Sequence, residues 1–180
     1  MFETDRLVLR AFRESDWEPL LRIWNDPVAQ RFLWNDWVVP RGDKFVKDVL
    51  KPGMEAATLY VVITLKENRE GEFMGWCALA QGNAKNRDAM TEIGLLREYQ
   101  GKGYGTETLE FIIGYAFRNF GLHRISLGVL EGNAAARAVY KKIGFREEGA
   151  TKEANWIDGG WEDAIRMSIL DREWAEQHGQ

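Results

Sequence analysis

The sequence predicts a mixed α/β fold: a single mixed, mostly antiparallel sheet of about seven strands, flanked by about four helices. Three observations lead there. Short alternating or β-branched runs recur between turn signals. Two stretches, beginning near Leu109 and at Asn133, repeat apolar residues at helical spacing and end on glycine. Strand–helix–strand alternation is confined to the second half, which argues against a wholly parallel sheet. The chain has 180 residues, enough to bury a sizeable core, and the expected organisation is one domain over residues 1–180.

Arg6-Leu7-Val8-Leu9-Arg10 alternates and opens the fold as a strand. Ser15-Asp16-Trp17-Glu18 has the S-x-x-E form of a capping box and starts a helix through about Trp24, ended near Asn25-Asp26-Pro27. A second short helix is expected over 43–50, stopped by Lys51-Pro52-Gly53. Residues 58–65 and 73–80 are β-rich and flank the turn Glu67-Asn68-Arg69-Glu70-Gly71. Residues 90–96 form another strand. Leu109, Ile112, Ile113, Ala116, Phe117 and Phe120 line a helix that stops at Gly121. Residues 124–130 are a strand, and 133–143 a helix with Ala136, Val139, Tyr140 and Ile143 on one face and Gly144 at its end. Asp158-Gly159-Gly160 then turns between strands of about 146–157 and 161–170.

Apolar residues make up 45% and charged residues 29%, too apolar for a disordered chain. No apolar stretch approaches the roughly 18 residues a membrane span needs. The acidic start, Met1 to Arg6, lacks the pattern of a secretory signal. One cysteine, Cys77, excludes an internal disulfide and a cysteine-cluster metal site. Two histidines leave little for a histidine centre, so no metal is expected. His123 reads as structural, His178 as part of a polar tail, and Cys77 as a buried strand residue. The expected compartment is reducing and cytoplasmic, without a membrane partner. A net charge of −4 argues against a nucleic-acid partner. That charge is uneven: residues 1–96 carry net −2, 97–146 net +4 and 147–180 net −6. The basic segment contains the one glycine-rich loop.

That loop is Tyr99-Gln100-Gly101-Lys102-Gly103-Tyr104-Gly105-Thr106-Glu107, between a strand and a helix. Alternate glycines let backbone N–H groups turn toward one point without Cβ interference. The helix behind adds its unpaired N–H groups and positive dipole end, which together suit a phosphate or pyrophosphate. Lys102 adds charge at the rim. A Walker loop is absent. The dinucleotide fingerprint fails, because its third glycine position falls on Thr106 or Thr108. ATP and NAD readings therefore lack a required residue, and Q-x-x-G-x-G remains. Asn133 and Tyr140 lie two helical turns apart on one side of the later helix. Asn133 suits an N-cap, and Tyr140 by itself fits either a core aromatic or a functional hydroxyl.

Gln100 to Glu107, Tyr115-Ala116-Phe117, Gly121-Leu122-His123-Arg124-Ile125, and then Asn133, Tyr140, Lys142, Gly144 and Phe145 together resemble the GCN5-related N-acetyltransferase (GNAT) superfamily. Arg6 to Arg10 with Ser15-Asp16, and Asp158-Gly159, Asp163 and Glu173-Trp174, resemble its RimJ/RimL-like branch. The resemblance implies the GNAT fold with splayed central strands, and acetyl-CoA as co-substrate. It implies acetyl transfer to a primary amine, a protein N-terminus or a small molecule, directly within a ternary complex. Gln100, Gly101, Lys102, Gly103, Tyr104, Gly105 and Thr106 would cradle the pyrophosphate. Backbone at Leu95, Leu96 and Arg97 would pair with the pantetheine, which Asn133 would also reach. Tyr140 would protonate the departing thiolate. The acceptor amine must lose a proton, and either Glu92 or a water path would take it. Trp34, Trp37 and Trp156 would line the acceptor cleft, where indole faces can hold a cation. The chain would act as a monomer or homodimer. The alternative is a non-catalytic acyl-CoA-binding module on the same fold.

Overall fold

The computed structural model describes residues 1–33, 35–67 and 71–179, with Gln81 described by its backbone alone. The predicted turn at Glu67–Gly71 and the position of Trp34 lie partly or wholly outside the described residues. Eight strands follow one another in hydrogen-bonding order β1-β2-β3-β4-β5-β6-β8-β7. They are β1 (Phe2–Glu3), β2 (Leu7–Arg10), β3 (Ala57–Leu65), β4 (Gly75–Asn83), β5 (Asp88–Leu95), β6 (Arg124–Leu130), β7 (Arg146–Ile157) and β8 (Gly160–Leu170). The extra strand over the predicted seven is β1, too short to show a period of its own. The helices are α1 (Trp17–Trp24), α2 (Pro27–Leu33), α3 (Asp43–Phe45, continued by Val46–Leu50 and Lys51–Ala56), α4 (Tyr104–Tyr115, continued by Ala116–Phe120), α5 (Ala134–Ile143) and α6 (Asp171–His178). These elements fall into two compact units, residues 1–81 with 92–111, and residues 82–91 with 112–180.

In the first unit β1 to β4 pair antiparallel in sequence, with Leu9 opposite Ile63 and Val62 opposite Trp76. Leu7, Leu9, Val61, Ile63, Cys77 and Leu79 are buried, Cys77 as predicted. The alternate residues Val62, Trp76 and Ala78 pack with Leu20, Ile23 and Trp24 of α1 and Phe45 and Leu50 of α3. α1 does not start from the Ser15–Glu18 capping box. Asp16 is buried instead, and its carboxylate takes the Arg13 N–H at 2.7 Å and the Arg10 guanidinium at 2.7 Å through both oxygens. A fixed bidentate partner outcompetes a local cap. α2 was not predicted, although Asp26 accepts the Val28 N–H at 2.9 Å and Pro27 opens the helix where a missing N–H costs little. α3 runs through Pro52 rather than stopping there. The turn before it, Val46–Leu50, is π-helical, and Pro52 sits in the first turn of the α-segment that follows.

In the second unit β5 pairs parallel to β6 over Asp88–Met90 only, with β6–β8 and β7–β8 antiparallel. The hairpin turns on Asp158 and Gly159, both at positive φ (48° and 82°), as a right-twisted two-residue turn requires. Ile112, Ile113, Ala116, Ile125, Ile143, Met167 and Ile169 form the core. α6 replaces the predicted polar tail: Trp174 is buried, and His178 stacks on it with ring centroids 3.7 Å apart. His123 is structural, its Nδ1 3.2 Å from Asp171.

Candidate active site

The predicted residues divide between the two units. The first holds Trp37, Glu92, Leu95, Leu96, Arg97 and the glycine loop; the second holds Asn133, Tyr140 and Trp156.

The loop follows a 3₁₀ turn, Arg97–Tyr99, and leads into α4. Gly101 and Gly103 have φ of +71° and +83°, which L-residues rarely adopt. A Cβ at Gly101 would meet nothing within 4 Å, so the loop is open on that side. The Gly103 carbonyl accepts from Glu107 N–H at 3.1 Å, while the N–H groups of residues 101–106 find no backbone acceptor among the described residues. A run of free N–H groups at the start of a twelve-residue helix fits an anion such as a pyrophosphate. The Gln100 side chain is engaged within the protein: its Nε2 donates to the Leu95 carbonyl at 2.9 Å and ties the loop to the end of β5.

A brace that sequence reasoning missed holds the loop. Glu107 accepts from Thr4 Oγ1 at 2.6 Å, Arg6 N at 2.8 Å and Arg6 Nε at 2.7 Å. Arg6 Nη1 also donates to the Lys102 carbonyl at 3.1 Å, and the guanidinium lies over the Tyr104 ring. Burial would raise the Glu107 pKa, but the Thr4 and Arg6 hydrogen bonds outweigh it and hold the pKa below the ordinary range. No local spacing signals contacts between residues a hundred positions apart.

Glu92 differs. Its side chain reaches solvent, yet the protein around it strips water from the carboxylate and pushes its pKa up. No donor among the described residues bonds it. Near it, burial and then the Asp16, Cys77 and Glu92 charges push the Tyr60 phenol well above its usual range, so Tyr60 stays protonated. A cavity of about 260 Å³ is lined by Arg22, Ile23, Asp26, Ala29 and Leu95–Glu98. The Arg97 guanidinium is already engaged by Asp26, at 3.1 and 2.8 Å, which leaves the Arg97 backbone rather than its side chain for a ligand. Trp37 is 77% exposed, consistent with a wall residue.

In the second unit Asn133 caps α5: its Oδ1 accepts from Ala136 N–H at 3.2 Å, leaving Nδ2 to donate elsewhere. Tyr140 is half-buried, edge-on to Phe145. Trp156 is 56% exposed and packs edge-on against the exposed Trp161. Among the described residues no group of His, Cys, Asp and Glu could hold a metal ion, and no helix is long and apolar enough to cross a membrane.

The family model for the acetyltransferase (GNAT) domain matches residues 6–146. YdaF of Bacillus subtilis (strain 168), which carries the name of a ribosomal N-acetyltransferase, is 33% identical over 122 residues, 68% of this chain and 62% of YdaF. Spermidine N(1)-acetyltransferase of Escherichia coli (strain K12) is 33% identical over 109 residues, 61% of this chain and 59% of that protein. The chain therefore spans about three-fifths of the length of these two curated relatives. The crystal structure of spermidine N-acetyltransferase from Vibrio cholerae in complex with CoA and spermine has a TM-score of 0.82 at 26% identity, covering 95% of this chain and 99% of that one. With a family match that takes in the open glycine loop, Glu92 and the α5 cap, the chain belongs to the acetyltransferase (GNAT) domain family.

Proposed function

We propose that the chain transfers the acetyl group of acetyl-CoA to a primary amine by direct transfer in a ternary complex. The observation that carries this is the run of unpartnered N–H groups over residues 101–106 at the N-terminus of α4. Those groups hold the pyrophosphate, with Lys102 at the rim. The backbone of Leu95, Leu96 and Arg97 and the Nδ2 of Asn133 hold the pantetheine. Acetyl-CoA supplies an activated thioester. Glu92 takes the proton from the acceptor ammonium; its raised pKa makes it a stronger base than an ordinary carboxylate. The Tyr140 hydroxyl delivers a proton to the departing sulfur. Trp37 and Trp156, with Trp34, contact the acceptor, for which indole faces suit a cation. Spermidine in the named relatives supports a small polyamine-like acceptor, and a protein N-terminus satisfies the same chemistry.

Gly103→Val adds a branched side chain at φ +83°, 3.2 Å from Arg6 Nη2, on the loop that cradles the phosphates. Calorimetry should show CoA binding lost in a variant that still melts cooperatively; unchanged affinity removes the loop assignment. Thiol release with spermidine, a peptide bearing a free N-terminus and an amino sugar then reads the acceptor. Binding of CoA with no thiol release from any amine overturns the enzyme reading.

A further inference from the structure

Arg6, just ahead of β2, places a guanidinium against the glycine loop, and its contacts fix where it lies. Nε is 2.7 Å from Glu107 Oε2, Nη1 donates to the Lys102 carbonyl at 3.1 Å, and the group lies 4.7 Å above the Tyr104 ring. Nη2 faces Gly103, 3.2 Å from where a Cβ on that residue would stand. A cation beside a phosphate-binding loop reads at first as a ligand for the phosphate. The peptide geometry argues against that.

A trans peptide is planar, so its C=O and N–H point in opposite directions. The Lys102 carbonyl points at Arg6. The Gly103 N–H, in the same peptide, therefore points away from Arg6, and it has no backbone acceptor among the described residues. An anion held by that N–H lies across the peptide from the guanidinium. Gly103 has φ of +83°, which glycine adopts about as readily as a negative φ. The residue that allows this conformation therefore does little to choose it. Turning the 102–103 peptide over, by opposed changes in ψ of Lys102 and φ of Gly103, would put a carbonyl where the N–H stands and set its oxygen against the phosphate. A bond from outside the loop is needed to favour one orientation, and Arg6 supplies it.

We propose that Arg6 is a positioning residue for CoA: by donating to the Lys102 carbonyl it holds the 102–103 peptide with its N–H toward the pyrophosphate, and it does not itself touch the phosphates. This rests on the acetyl-transfer reading above, in which the loop cradles the pyrophosphate. The guanidinium is set before the ligand arrives, because Glu107 takes Nε and is itself held by Thr4 Oγ1 at 2.6 Å. A donor on the carbonyl also polarises the peptide and strengthens its N–H as a donor in turn. Nothing in the sequence signals the role: Arg6 stands 96 residues before Lys102 and reads as the first residue of an alternating strand.

The test is Arg6→Lys, which keeps the charge and its attraction to Glu107 but replaces the fork by a single ammonium, not shaped to hold the carboxylate and the carbonyl together. Calorimetric affinity for CoA should fall about three- to tenfold, because apparent affinity scales with the fraction of molecules in the binding orientation. A role through charge alone leaves affinity unchanged in this variant, and that result overturns the proposal. A second readout needs no ligand. The sign of φ at Gly103, read from amide–Hα couplings in protein carrying chirally deuterated glycine, should be positive in the wild type and mixed in the folded variant. Uniformly positive φ in the variant overturns the proposal even if CoA affinity falls. If Arg6→Lys fails to fold, the wild type gives the reciprocal measurement, since coupling between the two contacts of one peptide runs both ways. Saturation with CoA should slow exchange of the Arg6 guanidinium protons, while those of Arg124, held by Glu148, keep their rate. Unslowed exchange at Arg6 overturns the proposal. Wild type that shows positive φ at Gly103 but binds no CoA would sink the acetyl-CoA reading and leave the peptide orientation standing.

Discussion

Glu107 and Glu92 flank the same loop, and their surroundings push them in opposite directions. Glu107 accepts three hydrogen bonds from Thr4 and Arg6, and its pKa is held down. Glu92 accepts none among the described residues, and desolvation pushes its pKa up. A saturated carboxylate is a strut; an unsatisfied, partly dried one retains affinity for a proton. The difference separates a residue that shapes the loop from one that can do chemistry beside it, and residue type alone separates neither.

The largest expected effect tests the reactive member. Glu92→Gln should lower kcat about 10²–10⁴-fold, the usual contribution of a single positioned base. Raising the pH should restore part of the rate, because more of the amine is then already deprotonated. An unchanged pH–rate profile would assign the proton to a water path. The same variant should melt at a slightly higher temperature at pH 7, since it removes a charge that the fold disfavours. Lower activity with higher stability is the pairing that an ordinary surface glutamate would not give.

Glu107→Ala should reverse that pattern. One hydrogen bond to a charged group is worth about 1.5–3 kcal/mol, so losing the three to Glu107 should cost at least that much stability by denaturant titration. CoA affinity should fall with it, because Arg6 also fixes the Lys102 carbonyl.

The pH dependence of stability sharpens the contrast. Glu107, with a lowered folded pKa, contributes stability that is fully present above its unfolded value near 4.5 and is lost as pH falls through the folded pKa. Glu92, with a raised folded pKa, costs stability that sets in above 4.5 and is complete once pH exceeds the folded value. Melting curves of each glutamine variant against wild type should therefore differ in sign at pH 7. The Glu92→Gln gain should vanish by about pH 4, while part of the Glu107→Gln loss persists there.

The loop and the α5 caps were legible because local chemistry determines them. Positive φ at Gly101, Gly103 and Gly144 needs glycine, and Asn133 caps with its own side chain. Tertiary partners decided what the sequence hid. Asp16 rather than Ser15 stands at the start of α1 and gives its carboxylate to Arg10, α3 passed Pro52 through a π turn, and Phe2–Glu3 became a strand only by pairing with β2. The candidate site was legible in the same proportion: the Q-x-x-G-x-G spacing was visible, but the Thr4–Arg6–Glu107 brace was not. Segment charge was the least reliable guide. The net +4 over residues 97–146 is largely paired within the fold: Arg137 and Lys141 bond Glu147, Arg124 bonds Glu148 and Arg146 bonds Glu173, all from the acidic final segment. The two excesses largely neutralise each other within the second unit.

The smallest expected effect follows from that pairing and separates Lys102 from Arg97. Both are basic, both adjoin the loop, and both belong to the +4 segment. Arg97 is held by Asp26, while Lys102 has no ion-pair partner among the described residues and rests over the Tyr99 ring. If the phosphates sense only charge that is not already paired, Lys102→Gln should weaken CoA binding about two- to five-fold at low salt. That corresponds to an exposed pair of roughly 0.4–1 kcal/mol. The loss should shrink toward nothing at 0.5 M salt, where screening shortens the reach of an exposed charge to a few ångströms. Asp26→Asn should act in the opposite direction, releasing the Arg97 guanidinium and tightening CoA modestly at low salt. Calorimetry of both variants at two salt concentrations reads the two signs. If Asp26→Asn instead weakens CoA, the Arg97–Asp26 pair is part of the shape of the cavity beside Leu95, and its role is positional rather than electrostatic.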